Sequence, residues 1–301
     1  MSSPLARREL GLAAGPALVL MHGNGDSSAC WPDAARRWGR DYRVVAVDAR
    51  GHGASPPFAA DQLVEPGEVF LADALELLAD LRADGHPVVG VGHSLGAGVL
   101  TGVLAAAPGL LTAAVLIDPP WDTPVVLGPR PEVGAGRVDF VREAQRDPGG
   151  ALRRHREAHP EWSDDEHEGW LAAKQSLDLG YIGTGSGRLS TPWPDLLRGI
   201  ADPTLVVTGE RDCLVGAATR ATVADVAADV VEVAVVPGAD HYVRQSNPDA
   251  FHAVVDPWLA AHVADHLDDD GADHLDHHVA GHSEGGGAGE VRPPRRGRTG
   301  R

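Results

Sequence analysis

The chain has 301 residues, 43% of them hydrophobic, and a formal net charge of −17. That length and apolar content support one large α/β domain or two small ones with a sizeable core, while the charge excludes nucleic acid or an anionic membrane as the main partner, because either would be repelled. Cys30 and Cys213 are too few for a disulfide framework and lack metal-ligand spacing, so a cytoplasmic location is expected.

Arg7-Arg8 and the apolar run Leu12 to Met21 superficially resemble a secretion signal, but cleavage there would remove His22-Gly23. The run therefore reads as a strand, Ala17–Met21. Further short apolar runs follow at Val44–Asp48, Pro87–Val91, Ala113–Ile117, Thr204–Val207 and Val231–Val236. They are apolar on both faces, which suits a parallel sheet covered on each side. Helical patterns lie between them at Glu68–Arg82, Leu95–Ala107, Gly216–Ala228 and Pro248–His262. Ser94 to Ile117 carries no charge, but Pro108-Gly109 divides it into helix and strand, so no membrane span is expected. The alternation predicts an α/β fold with a doubly wound, mostly parallel sheet.

The rhythm stops between Pro119 and Ile200. A structureless loop of that length is improbable, so these residues, with Trp121, Trp162, Trp170 and Trp193, are expected to form a helical lid insertion. After residue 262 the chain turns to Asp, His, Gly and finally Arg, and Ala264-Asp265-His266-Leu267-Asp268 recurs as Ala272-Asp273-His274-Leu275-Asp276. Residues 1–262 are expected to form the folded domain and 263–301 a disordered tail. Six histidines from His262 to His282 invite a weak Zn or Ni reading; an acidic solubility tail is preferred.

Gly92-His93-Ser94-Leu95-Gly96 stands between a buried-strand pattern and a small-residue helix. That context makes Ser94 a candidate nucleophile on a strand-to-helix elbow, where glycines permit the sharp turn and the helix N-terminus faces the site. Gly281-His282-Ser283-Glu284-Gly285 fits the same pentapeptide but has no strand before it or helix after it, so Ser283 is read as a decoy. Gly209-Glu210-Arg211-Asp212 and Gly238-Ala239-Asp240-His241 also follow predicted strands, at the sheet edge where ligands bind. A serine hydroxyl needs a base, and the imidazole needs a carboxylate to fix its tautomer. His241 and Asp212 fit those roles. The Leu95 amide and the Asn24 amide would hold the oxyanion, each such donor lowering the barrier by about 3 kcal/mol.

With these residues the chain resembles the α/β-hydrolase superfamily, and within it the serine-nucleophile esterase, haloperoxidase and carbon–carbon hydrolase-like group, from about Leu10 to His262. The matching segments are His22-Gly23-Asn24-Gly25, Asp48 to Ser55, Gly92 to Gly96, Gly209 to Val215, and His241 with Pro248. The resemblance implies a triad of Ser94, Asp212 and His241 with an oxyanion hole at Asn24 and Leu95. Some superfamily members take the acid from the strand end occupied here by Asp118, which is the alternative. With about fifteen residues before Ala17, the paired N-terminal antiparallel strands common in the family reduce to one. His22-Gly23-Asn24 also resembles dehalogenases, but those use an aspartate nucleophile and Ser94 excludes that chemistry.

Asp48, Arg50 and His52 read as residues that tie a glycine turn together, and His22 as an orienting residue. The expected activity is hydrolysis of a carboxylic ester or similar activated carbonyl through an acyl-enzyme, on a small molecule with an apolar acyl or alcohol part, and without a cofactor or metal. Carbon–carbon hydrolysis, cofactor-free perhydrolysis and a slow-turnover ligand sensor are the alternatives.

Overall fold

The computed structural model describes residues 5–121 and 128–273. Ser283 and the His-rich stretch beyond residue 273 lie outside them. The core is a seven-stranded sheet of β1 (Arg7–Gly11), β2 (Ala17–Met21), β3 (Arg43–Val47), β4 (Val88–His93), β5 (Ala113–Ile117), β6 (Thr204–Gly209) and β7 (Val231–Val236). Its spatial order is β1-β3-β2-β4-β5-β6-β7, with β1 antiparallel to β3 and every other pair parallel. The single antiparallel edge strand is exposed along its whole length and rich in charge, which blunts that edge against further pairing.

Period-two alternation distributes each inner strand between two cores. Ala17, Val19 and Met21 of β2 face one, and Leu18 and Leu20 face the other. The first core is covered by α2 (Pro66–Arg82), α3 (Leu95–Ala106) and α9 (Ala217–Val226). The second is covered by α1 (Pro32–Trp38) and α11 (Pro248–Asp273), whose Phe251, Val255, Leu259 and Val263 repeat every four residues and point at the sheet. The helix continues to Asp273, eleven residues past the expected domain end at 262. Its buried stripe includes Val263, and nothing in the following Ala-Asp-His-Leu-Asp run forbids helix.

Between β5 and β6 the chain forms α4 (Pro131–Arg146), α5 (Pro148–Ala158), α6 (Asp164–Gln175), α7 (Leu179–Gly183) and α8 (Trp193–Leu197). A short helix, α10 (Val243–Ser246), follows β7. Among the described residues, no helix is long and apolar enough to cross a membrane.

Candidate active site

Among the described residues, three other than glycine have positive φ, and each follows the end of an inner strand: Ser94 (49°), Asp118 (42°) and Asp212 (45°). Such backbone costs on the order of 1–3 kcal/mol per residue and persists where surrounding contacts over-determine it. At Ser94 those contacts are visible. Its amide donates to Ile117 O at 2.9 Å and the Gly96 amide to His22 O at 3.1 Å, clamping the elbow between β2 and β5. A methyl group at Gly96 would strike the Met21 carbonyl, so only glycine lets α3 approach β2 this closely. Leu95 opens α3, in the first turn, whose N–H groups have no acceptor within the helix.

The carboxylate that the structure places against His241 is Asp118, not the expected Asp212. His241 Nδ1 lies 2.5 Å from Asp118 Oδ2, whereas Asp212 is exposed. Asp118 has no solvent-exposed surface, and its oxygens also accept from Thr208 Oγ1 at 2.7 Å, the Leu214 amide at 2.9 Å and the Val215 amide at 3.0 Å. The Gly209–Val215 loop that contains Asp212 thus cradles the Asp118 carboxylate with its backbone amides. Burial alone would push the Asp118 carboxyl up, but hydrogen bonds from His241, the Leu214 amide and Thr208 outweigh it and hold the pKa below the ordinary value. His93 packs its ring against His241, centroids 4.8 Å apart, and places Nε2 3.1 Å from the His241 carbonyl. A carbonyl only accepts, so His93 carries its proton on Nε2. Burial, reinforced by His241, lowers its pKa to about 4 and keeps it neutral. Asp240 turns aside and accepts from the Tyr242 amide at 2.8 Å.

The loop after β2 is held by the residues expected to orient it. His22 donates from Nδ1 to Gly23 O at 2.8 Å and accepts the Ala49 amide at Nε2, 3.0 Å. His52 donates from Nδ1 to Arg50 O at 2.9 Å and accepts the Gly25 amide at 3.1 Å. Burial drives the His52 pKa to about 3. Asp48 accepts the Ser28 and Ala54 amides at 2.7 and 2.9 Å, and Arg50 binds both oxygens of Asp73 at 2.8 Å. Asn24 Oδ1 accepts from the buried Tyr181 hydroxyl at 2.9 Å. Its amide orientation is fixed.

Several residues at the site carried no sequence signal. Lys174, the chain's single lysine, is buried on α6, donating to Gly25 O at 2.5 Å and pairing with Asp26 at 3.2 Å. Arg244 on α10 meets Glu166 of α6 with both guanidinium nitrogens and donates to Cys30 O at 2.7 Å. These two buried ion pairs fasten α6 to the loops bearing Asn24 and His241. Long-range charge partners have no fixed spacing, so only a coincidence of Lys or Arg with acidic residues could have suggested them.

A cavity of about 830 Å³ opens over the strand ends, lined in part by Asn24, Ser94, His155, Trp170, Lys174 and His241. Trp170 stacks on His155 at 3.9 Å, and His155 Nδ1 meets His167 Nδ1 at 2.9 Å, one ring donating and the other accepting. Burial lowers the His155 pKa to about 3, with His159 and His167 adding repulsion. Trp121 and Trp193 instead stack on each other, 5.4 Å apart. The insertion's tryptophans therefore divide between the cavity wall and packing beside it.

A model of the alpha/beta hydrolase family matches residues 18–254, which span the sheet from β2 into α11. The chain belongs to the alpha/beta hydrolase family. This hydrolase is 30% identical to 2-(acetamidomethylene)succinate hydrolase of Mesorhizobium japonicum, over 78% of this chain and 84% of that one. It is 28% identical to a monoacylglycerol lipase of Mycolicibacterium smegmatis, over 82% and 88%. An N-formylmaleamic acid deformylase from Pseudomonas putida S16 shares the fold, with a TM-score of 0.67, 22% identity and coverage of 83% and 96%.

Proposed function

We propose that this hydrolase cleaves a carboxylic ester or a similarly activated carbonyl, with Ser94 as nucleophile, His241 as base and Asp118 as the acid. The observation that carries the reading is the His241 Nδ1 to Asp118 Oδ2 contact at 2.5 Å, beside a serine on a strained strand-to-helix elbow in the same cavity. A proton held on Nδ1 leaves Nε2 free to accept one, as general-base catalysis requires.

Ser94 Oγ attacks the carbonyl carbon as its proton passes to His241 Nε2. The resulting imidazolium is stabilised by the ionised Asp118. Negative charge on the carbonyl oxygen is met by the Asn24 and Leu95 amides, which are aimed by the elbow and by the His52-supported loop. Collapse expels the alcohol or amine, which takes the proton from His241, and leaves an acyl group on Ser94. Water, activated by the same imidazole, then releases the acid. The α4–α8 insertion acts as a lid that shapes the cavity. Two relatives that align over most of this chain are, by name, a monoacylglycerol lipase and a 2-(acetamidomethylene)succinate hydrolase, which supports a hydrolytic reaction.

The test is rapid-mixing kinetics with 4-nitrophenyl acetate. A nitrophenol burst equal to the enzyme concentration, absent in Ser94→Ala, is the expected result. Steady turnover that survives Ser94→Ala overturns the reading.

A further inference from the structure

A second, smaller cavity of about 260 Å³ is lined by Ser94 and Leu95 of the elbow, by Asn24 of the loop after β2, and by Arg130, Arg137 and Arg188. Among its described lining residues there is no carboxylate. Neither Arg130 nor Arg137 forms an ion pair with a described residue, and Arg130 Nε is shielded from solvent without a hydrogen-bond partner there. Three guanidinium groups around one small space repel one another, in a chain whose net charge is −17. Their mutual effect is visible at Arg188, where burial, Arg130 and Arg137 together bring the pKa down to about 10. Such a cluster is relieved by an anion, and a planar guanidinium binds a carboxylate through two parallel N–H donors.

We propose that this cavity is a carboxylate-binding subsite, and that the substrate is a short-chain acid whose free carboxylate sits on Arg130 and Arg137, beside Arg188, while its scissile carbonyl lies at Ser94. The inference rests on the hydrolase reading above for the reaction and adds the substrate class. The larger cavity, which also borders Arg137, takes the remainder of the molecule. Holding one end of the substrate a few bonds from the nucleophile fixes its orientation, which is how remote binding groups raise the rate at the reacting centre.

The test pairs binding with turnover. Succinate and its neutral counterpart succinamide are titrated calorimetrically into the full chain and into Arg130→Gln and Arg137→Ala, and kcat/KM is measured for methyl hydrogen succinate against dimethyl succinate. Succinate should bind and succinamide should not, and each substitution should weaken succinate binding and lower the anionic-to-neutral kcat/KM ratio by roughly 10- to 100-fold. Arg137 is exposed, so its replacement leaves the fold intact, and Arg137→Lys should recover part of the loss. Equal binding of succinate and succinamide, or an unchanged ratio in both variants, overturns the subsite. Succinate binding that survives in a protein with no Ser94-dependent turnover would overturn the hydrolase reading and leave the subsite standing.

Discussion

Replacing Asp118 by asparagine keeps the shape of the buried side chain and removes its charge, and the contacts around the carboxylate set the consequence. Oδ1 accepts from Thr208 and Val215, Oδ2 from His241, and the Leu214 amide is shared between the two oxygens at 3.1 and 2.9 Å. If Nδ2 takes the Oδ2 place, it presents N–H groups to two donors. The imidazole can satisfy Nδ2 only by moving its own proton to Nε2, and a protonated Nε2 cannot take the proton of Ser94. In serine proteases the same exchange costs about ten-thousand-fold in kcat, close to 5 kcal/mol of barrier, and a loss of that order is expected here. The Leu214 amide keeps Oδ1 as acceptor at 3.1 Å, but the bonds to the lost charge weaken, which should cost a further ~1–3 kcal/mol of stability. The stability term has a pH signature. Asp118 titrates below an ordinary carboxylate, so its contribution is complete above about pH 3.9 and is lost as pH falls through its folded pKa. The gap in unfolding free energy between wild type and Asp118→Asn should therefore narrow under acid. Nitrophenyl acetate kinetics and urea denaturation of Asp118→Asn and Asp212→Asn, side by side, check both terms. A larger rate loss in Asp212→Asn at equal stability would refute the assignment.

Lys174→Met leaves Asp26 buried without its cation and should cost about 3–5 kcal/mol in urea denaturation, with a loss under 1 kcal/mol contradicting the account of α6 as fastened to the Asn24 loop. Gly96→Ala should lower the melting temperature and the catalytic rate together, because the added methyl meets the Met21 carbonyl and displaces the elbow, and an unchanged rate would contradict that packing. His52, His93 and His155 have folded pKa values of about 3, 4 and 3 and stay neutral where the unfolded chain takes up protons, so stability is full above about pH 6.5 and falls toward pH 4. Each contributes on the order of 1.4 kcal/mol per pH unit across that window, and a flat stability profile from pH 7 to 4 would contradict their burial as neutral rings.

The inner strands were legible because each is a short apolar run bounded by turn residues, and their ends matched the structure to within a few residues. The edge strand Arg7–Gly11 gave no such pattern, since all five residues are exposed and three are charged. The placement of Ser94 and His241 at the ends of strands on one sheet edge was legible from context. Which carboxylate meets His241 was not, because Asp118 and Asp212 both follow strand ends at the same sheet edge and both take positive φ. Only the folding of the Leu214 and Val215 amides onto Asp118 separates a buried acceptor from an exposed loop residue. The arginines were invisible for a related reason. Arg130, Arg137 and Arg188 lie in different parts of the insertion, and no spacing rule links residues that converge through tertiary packing.

Activation of Ser94 by His241 and Asp118 sets the rate of covalent labelling with a fluorophosphonate, read by mass spectrometry of the modified peptide. One adduct on Ser94 is expected, with none in Ser94→Ala, labelling slowed by orders of magnitude in Asp118→Asn, and labelling close to wild type in Asp212→Asn. An adduct elsewhere in the chain, or equal rates in wild type and Asp118→Asn, would contradict it.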